Sequence, residues 1–302
     1  MTDDQREKGS IGWIGLGRLG EPVAENFLEK KQVLHLYNRT RSKAVALQDK
    51  GAVVMNTVAE LAGRCSVIFS LVSNDEALRS ITTGEDGILA HMRPGGVHVS
   101  MSTISPALAD ELTALHKQHG SYYLAAPIMG RPESARSRQL HICLAGNAEA
   151  KQQVAGYWKD LGAAQLHDFG EKPAAANVAK LCVNFMIGAN VEVLSEAFAL
   201  AEKNGVSSST LFELISGGLF NSPVVKNYGK LILQRQFEPA AFSLELGLKD
   251  LNLVLDAAGN RGVRMPVANL VKERMQQSKA KGREQLDWSA FSLIAQEEAG
   301  LS

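Results

Sequence analysis

The chain has 302 residues, of which 45% are hydrophobic and 21% charged; this is the composition of a globular protein with enough length for about two domains. Because 32 Lys and Arg balance 32 Asp and Glu, the broad positive field of a nonspecific nucleic-acid binder is missing, and we expect no nucleic-acid partner. Met1–Ser10 lacks the apolar core of a secretory signal, and apolar runs such as Val67–Val72 are far shorter than the ~20 residues that span a bilayer. These features predict a soluble, cytoplasmic protein with no membrane partner.

Residues 11 to about 167 alternate short apolar runs with amphipathic stretches, which is the pattern of strands and helices in a parallel sheet. Several runs are apolar on both faces, as strands covered by helices on both sides should be. The predicted strands are Ile11–Leu16, Val33–Tyr37, Ser66–Val72, Val97–Ser100, Tyr122–Ala125 and Leu140–Ala145.

After Glu171 the strand pattern stops, and apolar residues recur with the helical period. The first helical segment has about 30 residues, or roughly 45 Å, which is long enough to connect two domains. Gly170 and Pro173 place the domain boundary near residue 170. The predicted helices are Pro173–Lys203, Ser208–Ser216, Val224–Gln234, Leu244–Ala258 and Val267–Lys279. The fold class is therefore α/β, with a doubly wound, mostly parallel sheet, followed by an all-α C-terminal domain.

A glycine-rich motif follows the first predicted strand directly and precedes the amphipathic run Glu21–Lys30. Its residues are Gly15, Leu16, Gly17, Arg18, Leu19 and Gly20. In a dinucleotide-binding unit the first glycine permits a tight turn, the second lets the backbone approach a pyrophosphate, and the third allows close helix packing. Because a strand, a helix and a second strand flank the motif at the right spacing, we predict a Rossmann-type domain with a dinucleotide site.

The second predicted strand ends in Asn38, Arg39, Thr40 and Arg41, where an NAD enzyme usually carries a carboxylate for the ribose 2′-hydroxyl. This segment has no carboxylate. Arg39 and Arg41 suit a 2′-phosphate instead, with Asn38 and Thr40 supplying hydrogen bonds. The pattern favours NADP(H) over NAD(H); the alternative is that these are solvated basic residues at a strand end.

Lys180 lies early on the long predicted helix, and Asn177 and Asn184 share its face at about 60° and about 40° around the helix axis. A Lys ammonium beside a nicotinamide can donate its proton to a carbonyl oxygen as hydride arrives. Periodicity alone also fits a surface Lys whose charge reaches solvent.

These residues together resemble the β-hydroxyacid dehydrogenase family, within the 6-phosphogluconate dehydrogenase-like superfamily, over residues 11 to about 281. The likeness rests on the glycine motif, Asn38–Thr40, Ser102-Thr103 with Ser105-Pro106, Ala126–Gly130, Lys180 with Asn184, and Lys249-Asp250. It implies an NADP(H)-dependent oxidoreductase that transfers hydride between the nicotinamide and a small β-hydroxyacid or its semialdehyde, similar to 3-hydroxyisobutyrate, glyoxylate or succinic semialdehyde. It also implies an NADP-binding domain over residues 1–170 and a substrate and oligomerisation domain over residues 171–302.

The resemblance assigns roles to individual residues. Lys180 is implied to be the catalytic acid and base, and Asn184 to orient the substrate oxygen. The implied substrate-binding residues are Ser102, Thr103, Gly130, Arg131 and Lys249. The implied cofactor-binding residues are Gly15, Leu16, Gly17, Arg18, Leu19, Gly20, Asn38, Arg39, Thr40, Val72 and Lys249. Because an apolar helical domain commonly buries surface against a copy of itself, we also expect a homodimer or homotetramer.

The pocket segment Ala125–Arg131 departs from the family, which usually has an acid and a Ser-Gly-Gly sequence there; Met129 makes this wall more apolar. Arg131 is then either a bidentate partner for a substrate carboxylate or an exposed loop residue. Ala174 and Ala176 replace expected glycines and are predicted to narrow the approach to the cofactor. Ile187 replaces a glutamate of the sugar-acid branch, so decarboxylation of a phosphorylated sugar acid is not expected.

Two other functions stay open at this point. One is an imine or other non-carboxylate carbonyl reductase, a branch that usually lacks the lysine. The other is a non-catalytic nucleotide-binding protein, for which the altered pocket segment is the reason. Hydrolase chemistry is not expected, because Ser102 lacks the Gly-x-Ser-x-Gly turn.

The remaining cysteines and histidines give weaker predictions. All three cysteines, Cys65, Cys143 and Cys182, are predicted to be buried free thiols. His116 and His119 have a helical spacing that can bind metal, but no third ligand is near, so we predict a solvated helix face and no metal site. His98 and His141 are expected in the core or at a sheet edge.

Overall fold

The structure is a computed structural model that describes residues 10–301. The prediction that no secretory signal precedes the first strand concerns Met1–Ser10, of which all but Ser10 lie outside the described residues. The chain divides into two compact units, one ending at Lys180 and the other beginning at Leu181.

A nine-stranded sheet forms the centre of the first unit. Its strands are β1 (Ile11–Ile14), β2 (Leu34–Tyr37), β3 (Val53–Val54), β4 (Val67–Ser70), β5 (Val97–Ser100), β6 (Tyr122–Ala125), β7 (Ile128–Met129), β8 (Leu140–Gly146) and β9 (Ala163–Asp168). The order is β3-β2-β1-β4-β5-β6-β8-β7, with β9 paired to β8. All pairings from β3 to β6 are parallel, whereas β8 runs antiparallel to β6 and β7. This is a doubly wound, Rossmann-type sheet whose strand order reverses between β1 and β4.

Helices cover both faces of this sheet, as the apolar strands require. They are α1 (Gly20–Glu29), α2 (Arg41–Val45), α3 (Val58–Arg64), α4 (Asp75–Thr83), α5 (Ile88–His91), α6 (Pro106–Gln118), α7 (Pro132–Arg136), α8 (Ala148–Gln153) and α9 (Tyr157–Leu161). Neighbouring residues of one strand enter different cores: Phe69 packs with Trp13 and Phe27, whereas Ile68 packs with Ile14 and Leu61. The alternation confirms that the strands are buried on both faces.

The second unit is helical. Its elements are the end of α10 (Pro173–Lys203), then α11 (Ser208–Gly217), α12 (Pro223–Gln234), α13 (Leu244–Gly259), α14 (Pro266–Ala280), a 3₁₀ turn (Trp288–Ser292) and α15 (Leu293–Glu298). Phe198, Leu251, Val271, Trp288 and Phe291 form the centre of its core. The five predicted helices are confirmed to within a residue at each end; the 3₁₀ turn and α15 were not predicted.

The first turns of α10 belong to the first unit. Ala176 is fully buried there against Tyr123, Ala125 and Cys143, so its methyl group packs into a core. This packing explains why the division between the compact units falls at Lys180 rather than near residue 170. Which unit binds cofactor and which binds substrate stays a prediction.

By length and hydropathy alone, α10 is able to cross a membrane, unlike the short apolar runs considered above. In its most apolar 18-residue stretch 39% of the residues are buried inside the protein. The charged residue Lys180 lies within this helix. The buried side chains of α10, such as Ala176 and Phe198, belong to the cores of the units that contain them. The buried part of α10 therefore contributes to the cores of both units.

Two side-chain predictions are wrong. Cys182 is exposed on α10, whereas Cys65 and Cys143 are buried free thiols as predicted. His116 is fully buried rather than solvated, because it continues the buried positions Leu108 and Leu112 of α6 at helical spacing. His119 is exposed at the helix end.

His116 belongs to a buried chain of polar side chains. Its Nε2 lies 3.3 Å from Nδ1 of His98, and its Nδ1 lies 2.8 Å from Oγ of Ser121. On the far side, Nε2 of His98 lies 2.8 Å from Oγ of Ser70. The two imidazoles satisfy each other inside the core, which confirms the core position predicted for His98; His141 lies exposed on β8.

Candidate active site

The three motif glycines meet different surroundings. Gly15 has a φ of +103°, and a Cβ there would lie 2.2 Å from the carbonyl oxygen of Leu71. A Cβ on Gly20, where α1 begins, would lie 2.3 Å from the carbonyl oxygen of Gly15. Nothing lies within 4 Å of a Cβ placed on Gly17. The protein itself therefore requires the first and third glycines, whereas the second leaves open space for a bound group.

Asn38 joins this loop to the end of β2. Its Oδ1 accepts a hydrogen bond of 2.8 Å from the backbone N–H of Leu16, and its Nδ2 donates one of 2.9 Å to the carbonyl oxygen of Thr40. The Gly15 N–H also donates to the carbonyl oxygen of Tyr37 at 3.1 Å. The amide of Asn38 thus holds the loop in shape.

A cleft of about 500 Å³ opens beside this loop. Its lining residues are Ile14, Gly15, Leu16, Gly17, Tyr37, Asn38, Arg39, Thr40, Lys43, Leu71, Val72, Ser73, Asn74, Glu76, Ala77, Ser80 and Ile81. Arg18, Leu19 and Gly20 lie outside this lining. The cleft lies at the carboxyl ends of β1, β2 and β4, where a doubly wound sheet binds its ligand, and its glycine cradle fits a dinucleotide.

The cations at the end of β2 do not all face this cleft. Arg39 and Thr40 are exposed on its wall. Arg41 donates a hydrogen bond to Asn56 and does not line the cleft. Lys43 does, with its Nζ 3.5 Å from the carbonyl oxygen of Leu16. Sequence reasoning missed Lys43, although its position two residues after Arg41 on α2 was a usable signal.

Val72 and Ser102 meet where β4 and β5 end. The Val72 N–H donates a hydrogen bond of 2.8 Å to Oγ of Ser102, and Ser102 is fully buried. Thr103, the next residue, is half-buried. Ser102 therefore positions the backbone of a cleft residue; direct contact of Ser102 or Thr103 with substrate stays a prediction.

Lys180 lies close to the predicted pocket segment. Burial raises the pKa of the Cys143 thiol, and the positive charge of Lys180 opposes this rise, so the two groups are near enough to interact. Cys143 in turn donates its backbone N–H to the carbonyl oxygen of Pro127 at 3.1 Å. The first unit thus brings Lys180, β8 and the pocket segment together. Cys143 was not predicted to lie at this site, because Cys143 and Lys180 are far apart in the chain and no sequence pattern links them.

Gly130 and Arg131 end the pocket segment. A Cβ on exposed Gly130 would lie 2.6 Å from Cδ2 of Leu140, so a larger residue does not fit without a shift. Arg131 is half-buried and immediately precedes α7. These positions leave the backbone of Gly130 accessible and keep Arg131 beside it.

Asn184, Asp250 and Lys249 form a network within the second unit. Nδ2 of Asn184 donates a hydrogen bond of 2.5 Å to Oδ2 of Asp250, which is buried on α13. Nζ of Lys249 lies 2.8 Å from Oδ1 of the same carboxylate. Asp250 therefore fixes both side chains, and the carboxylate is paired as a buried charge needs to be.

Comparisons with known proteins agree with this architecture. Residues 10–191 match the family described as the NAD binding domain of 6-phosphogluconate dehydrogenase. Residues 174–293 match the one described as NAD-binding of NADP-dependent 3-hydroxyisobutyrate dehydrogenase. An uncharacterized oxidoreductase of Bacillus subtilis, YfjR, is 40% identical over 93% of this chain and 98% of its own length.

Two further similarities extend the comparison. The probable 3-hydroxyisobutyrate dehydrogenase-like 3 of Arabidopsis thaliana is 32% identical over 88% of this chain and 80% of its own length. The structure of Mycobacterium tuberculosis 3-hydroxyisobutyrate dehydrogenase with L-serine has a TM-score of 0.85 at 26% identity, covering 95% of this chain and 98% of the other. The chain therefore belongs to the β-hydroxyacid dehydrogenase family and is an NAD(P)-dependent oxidoreductase of the class that acts on CH–OH groups.

Proposed function

We propose that this protein is an NADP(H)-dependent reductase that interconverts a small β-hydroxyacid and its semialdehyde, with Lys180 as the proton donor and acceptor. The observation that carries the proposal is that Lys180 follows Ala176 by one turn of α10, and Ala176 is buried in one cluster with Ala125 and Cys143, in the unit that also contains the dinucleotide cleft. A cation at this position is the group that a developing oxyanion needs.

The bound nicotinamide supplies the hydride in reduction and accepts it in oxidation. Lys180 donates a proton from Nζ to the carbonyl oxygen of the substrate, which becomes the hydroxyl group, and it recovers that proton from solvent. In oxidation it removes the hydroxyl proton. General acid and base assistance of this kind is worth roughly 10²- to 10⁴-fold in rate.

Asn184 and Lys249 are the two further residues proposed to take part in the reaction. Asn184 follows Lys180 by one turn of α10, and its hydrogen bond to Asp250 holds the amide in one orientation. Asn184 is proposed to direct the substrate oxygen. Lys249 is proposed to contact the cofactor and substrate; its ion pair with Asp250 holds the charged end of its side chain, Nζ, in place.

Recognition of the substrate carboxylate is assigned to Gly130 and Arg131. Exposed Gly130 offers one backbone N–H, and the guanidinium of Arg131 offers a bidentate pairing. Met129, which packs against the cluster that contains Cys143, makes the adjoining wall apolar and suits a short aliphatic chain. The substrate class is therefore a short semialdehyde that carries a carboxylate.

Turnover on a substrate panel tests the proposal. The panel contains succinic semialdehyde, other short semialdehydes, glyoxylate and a cyclic imine, each with NADPH. We expect the carboxylate-bearing aldehydes to be reduced, and Lys180→Met to lower kcat by roughly 10²- to 10⁴-fold while the Kd for NADPH stays unchanged. Lys203→Met, an exposed lysine on the same helix, is the matched control and should behave as the native protein.

The panel also separates the other functions. Preferential turnover of the cyclic imine, with Lys180→Met retaining activity, would assign the protein to the non-carboxylate reductases. NADPH binding without turnover of any member would refute the proposed substrate class.

NADP(H) is the proposed cofactor, and reduction the proposed physiological direction. Arg39, Thr40 and Lys43 line the cleft near the end of β2, and no carboxylate from that segment lines it. Hydrogen bonds to a charged group contribute about 1.5–3 kcal/mol. Arg39→Gln should therefore weaken the binding of NADPH about 10- to 100-fold and the binding of NADH far less. Arg41→Gln is the control, because Arg41 bonds Asn56 outside the cleft lining. Equal losses in the two variants would contradict this assignment.

A cytoplasmic homo-oligomer is also proposed. In the second unit Met186, Val193 and Leu200 are exposed by 59%, 65% and 68%, and they recur every seven residues along α10. Apolar residues at this spacing form helix–helix seams between chains. Light scattering on the native protein and on Val193→Glu measures whether this seam holds copies together.

A further inference from the structure

Two histidines lie side by side on adjacent strands of the first unit. β8 and β9 pair in parallel, with His141 opposite Gln165 and Cys143 opposite His167, so the two histidines are diagonal neighbours on one face of the sheet. Both are exposed. Their rings meet edge to edge, with planes inclined by 14° and centroids 5.6 Å apart, and a hydrogen bond of 3.3 Å joins Nδ1 of His141 and Nε2 of His167.

The separation of these two nitrogens matches the bite of a metal ion. Two imidazole nitrogens bound at about 2.0–2.1 Å to one tetrahedral ion are about 3.3–3.4 Å apart. The strand pairing fixes the two backbones, so rotation of the exposed rings is enough to direct both lone pairs at one ion. Capturing the ion therefore requires little ordering of the chain, which lowers the entropic cost of binding.

We propose that His141 and His167 form a two-imidazole site for a divalent transition-metal ion of the Cu²⁺, Ni²⁺ and Zn²⁺ class, which imidazole ligands suit. Across residues 10–301 no group of three or more His, Cys, Asp or Glu residues is placed to hold a metal. The remaining coordination positions are consequently left to water or to small oxygen ligands from solution, which makes this an open surface site rather than a closed structural one.

The site differs from the metal pattern considered in the sequence. His116 and His119 have a helical spacing, but His116 is fully buried and out of reach of an ion from solution, whereas His141 and His167 are exposed. The proposed pair is 26 residues apart in the chain and is created only by the pairing of β8 with β9. Spacing along the sequence therefore gives no sign of it.

Titration of the tag-free protein with Cu²⁺ after chelator treatment tests the site, by calorimetry and by electron paramagnetic resonance for nitrogen ligands. We expect one saturable Cu²⁺ per chain with two nitrogen ligands. His141→Ala and His167→Ala should each weaken it at least about tenfold, because even the partners behind metal ligands are worth about 10–100-fold. His119→Ala, an exposed histidine of the same unit, should bind as the native protein does.

Two further measurements keep the outcome independent of folding and of turnover. Because both side chains are exposed, the variants should unfold at the native temperature without metal. Cu²⁺ should raise the unfolding temperature of the native protein and of His119→Ala only, since a ligand stabilises the state it binds. Saturable binding that survives in His141→Ala or His167→Ala, or no binding at all, overturns the proposal.

Discussion

Gly17→Ala should separate cofactor binding from folding. Gly17 has no positive φ, and nothing lies within 4 Å of a Cβ placed there, so alanine fits the free protein without strain. The loss of glycine's freedom in the unfolded chain should leave stability unchanged or raise it by about 0.4–1 kcal/mol. The same methyl group would occupy the space into which a pyrophosphate must come. A misplaced methyl-sized group costs roughly 1–3 kcal/mol, or about 10- to 200-fold in the Kd for NADPH.

The assay combines chemical denaturation with fluorescence titration of NADPH. Gly63→Ala is the matched control, because Gly63 also has open space around it but lies on α3 away from the cleft lining. Gly15→Ala should behave differently from Gly17→Ala. At position 15 the Cβ would lie 2.2 Å from the Leu71 carbonyl oxygen, and the backbone φ is +103°. Both the stability and the NADPH affinity of Gly15→Ala should therefore fall. If Gly17→Ala binds NADPH as tightly as the native protein, the glycine loop does not hold the pyrophosphate and the assignment of the cleft is wrong.

Two predictions concern stability and pH. Burial raises the pKa of Glu192 to about 7 from 4.5 despite its 2.8 Å bond from Nε of Arg274. The stability that Glu192 contributes is therefore present at low pH and lost as pH rises through 7, by about 2.5 kcal/mol between pH 5 and 8. In urea unfolding, the free energy of unfolding of Glu192→Gln should no longer fall between about pH 5 and 8, whereas that of Glu196→Gln should fall as in the native protein. An unchanged fall in Glu192→Gln would show that Glu192 is not its cause. Burial lowers the pKa of His116 to about 3 from 6.5, so stability should fall by about 3 kcal/mol from pH 7 to 4. His116→Gln should make this loss of stability at acid pH smaller, with the contribution of His98 remaining, and His119→Gln should leave it unchanged. Equal curves for the two variants would contradict this prediction.

The strands that sequence reasoning found are those that are buried on both faces. The six predicted strands carry continuous apolar runs, and they form the central part of the sheet. β3 and β7 have only two residues each, too few for any periodicity to develop. β9 is missed for a different reason: its residues are exposed apart from the first, so burial imposes no apolar pattern on them. What positions β9 is its pairing with β8, a long-range interaction that the local sequence does not encode.

At the candidate site the backbone was more predictable than the side chains. The glycine motif constrains backbone conformation locally, so its loop could be predicted from Gly15 to Gly20. The partners of Arg41, Ser102 and Asn38 depend on neighbouring strands and helices, and each side chain is bonded within the protein. Ala176 shows the same limit: the methyl group expected to narrow the approach to the cofactor packs into a buried cluster instead.

The buried titratable groups of the two units also determine how a pH profile of activity has to be interpreted. Below about pH 6.5 the buried His98 and His116 must be protonated on unfolding, so an acid loss of activity reports the stability of the first unit. As pH rises from about 5 through 7 the second unit weakens, because the unfolded chain gives up the Glu192 proton more readily than the buried carboxyl, whose Oε2 lacks a hydrogen-bond partner among the described residues. A basic loss of reductive kcat therefore has two possible causes, deprotonation of the donor or loosening of the second unit. Measuring the profile in Glu192→Gln separates them, because a basic limb that persists there belongs to the proton donor, and one that disappears belongs to Glu192.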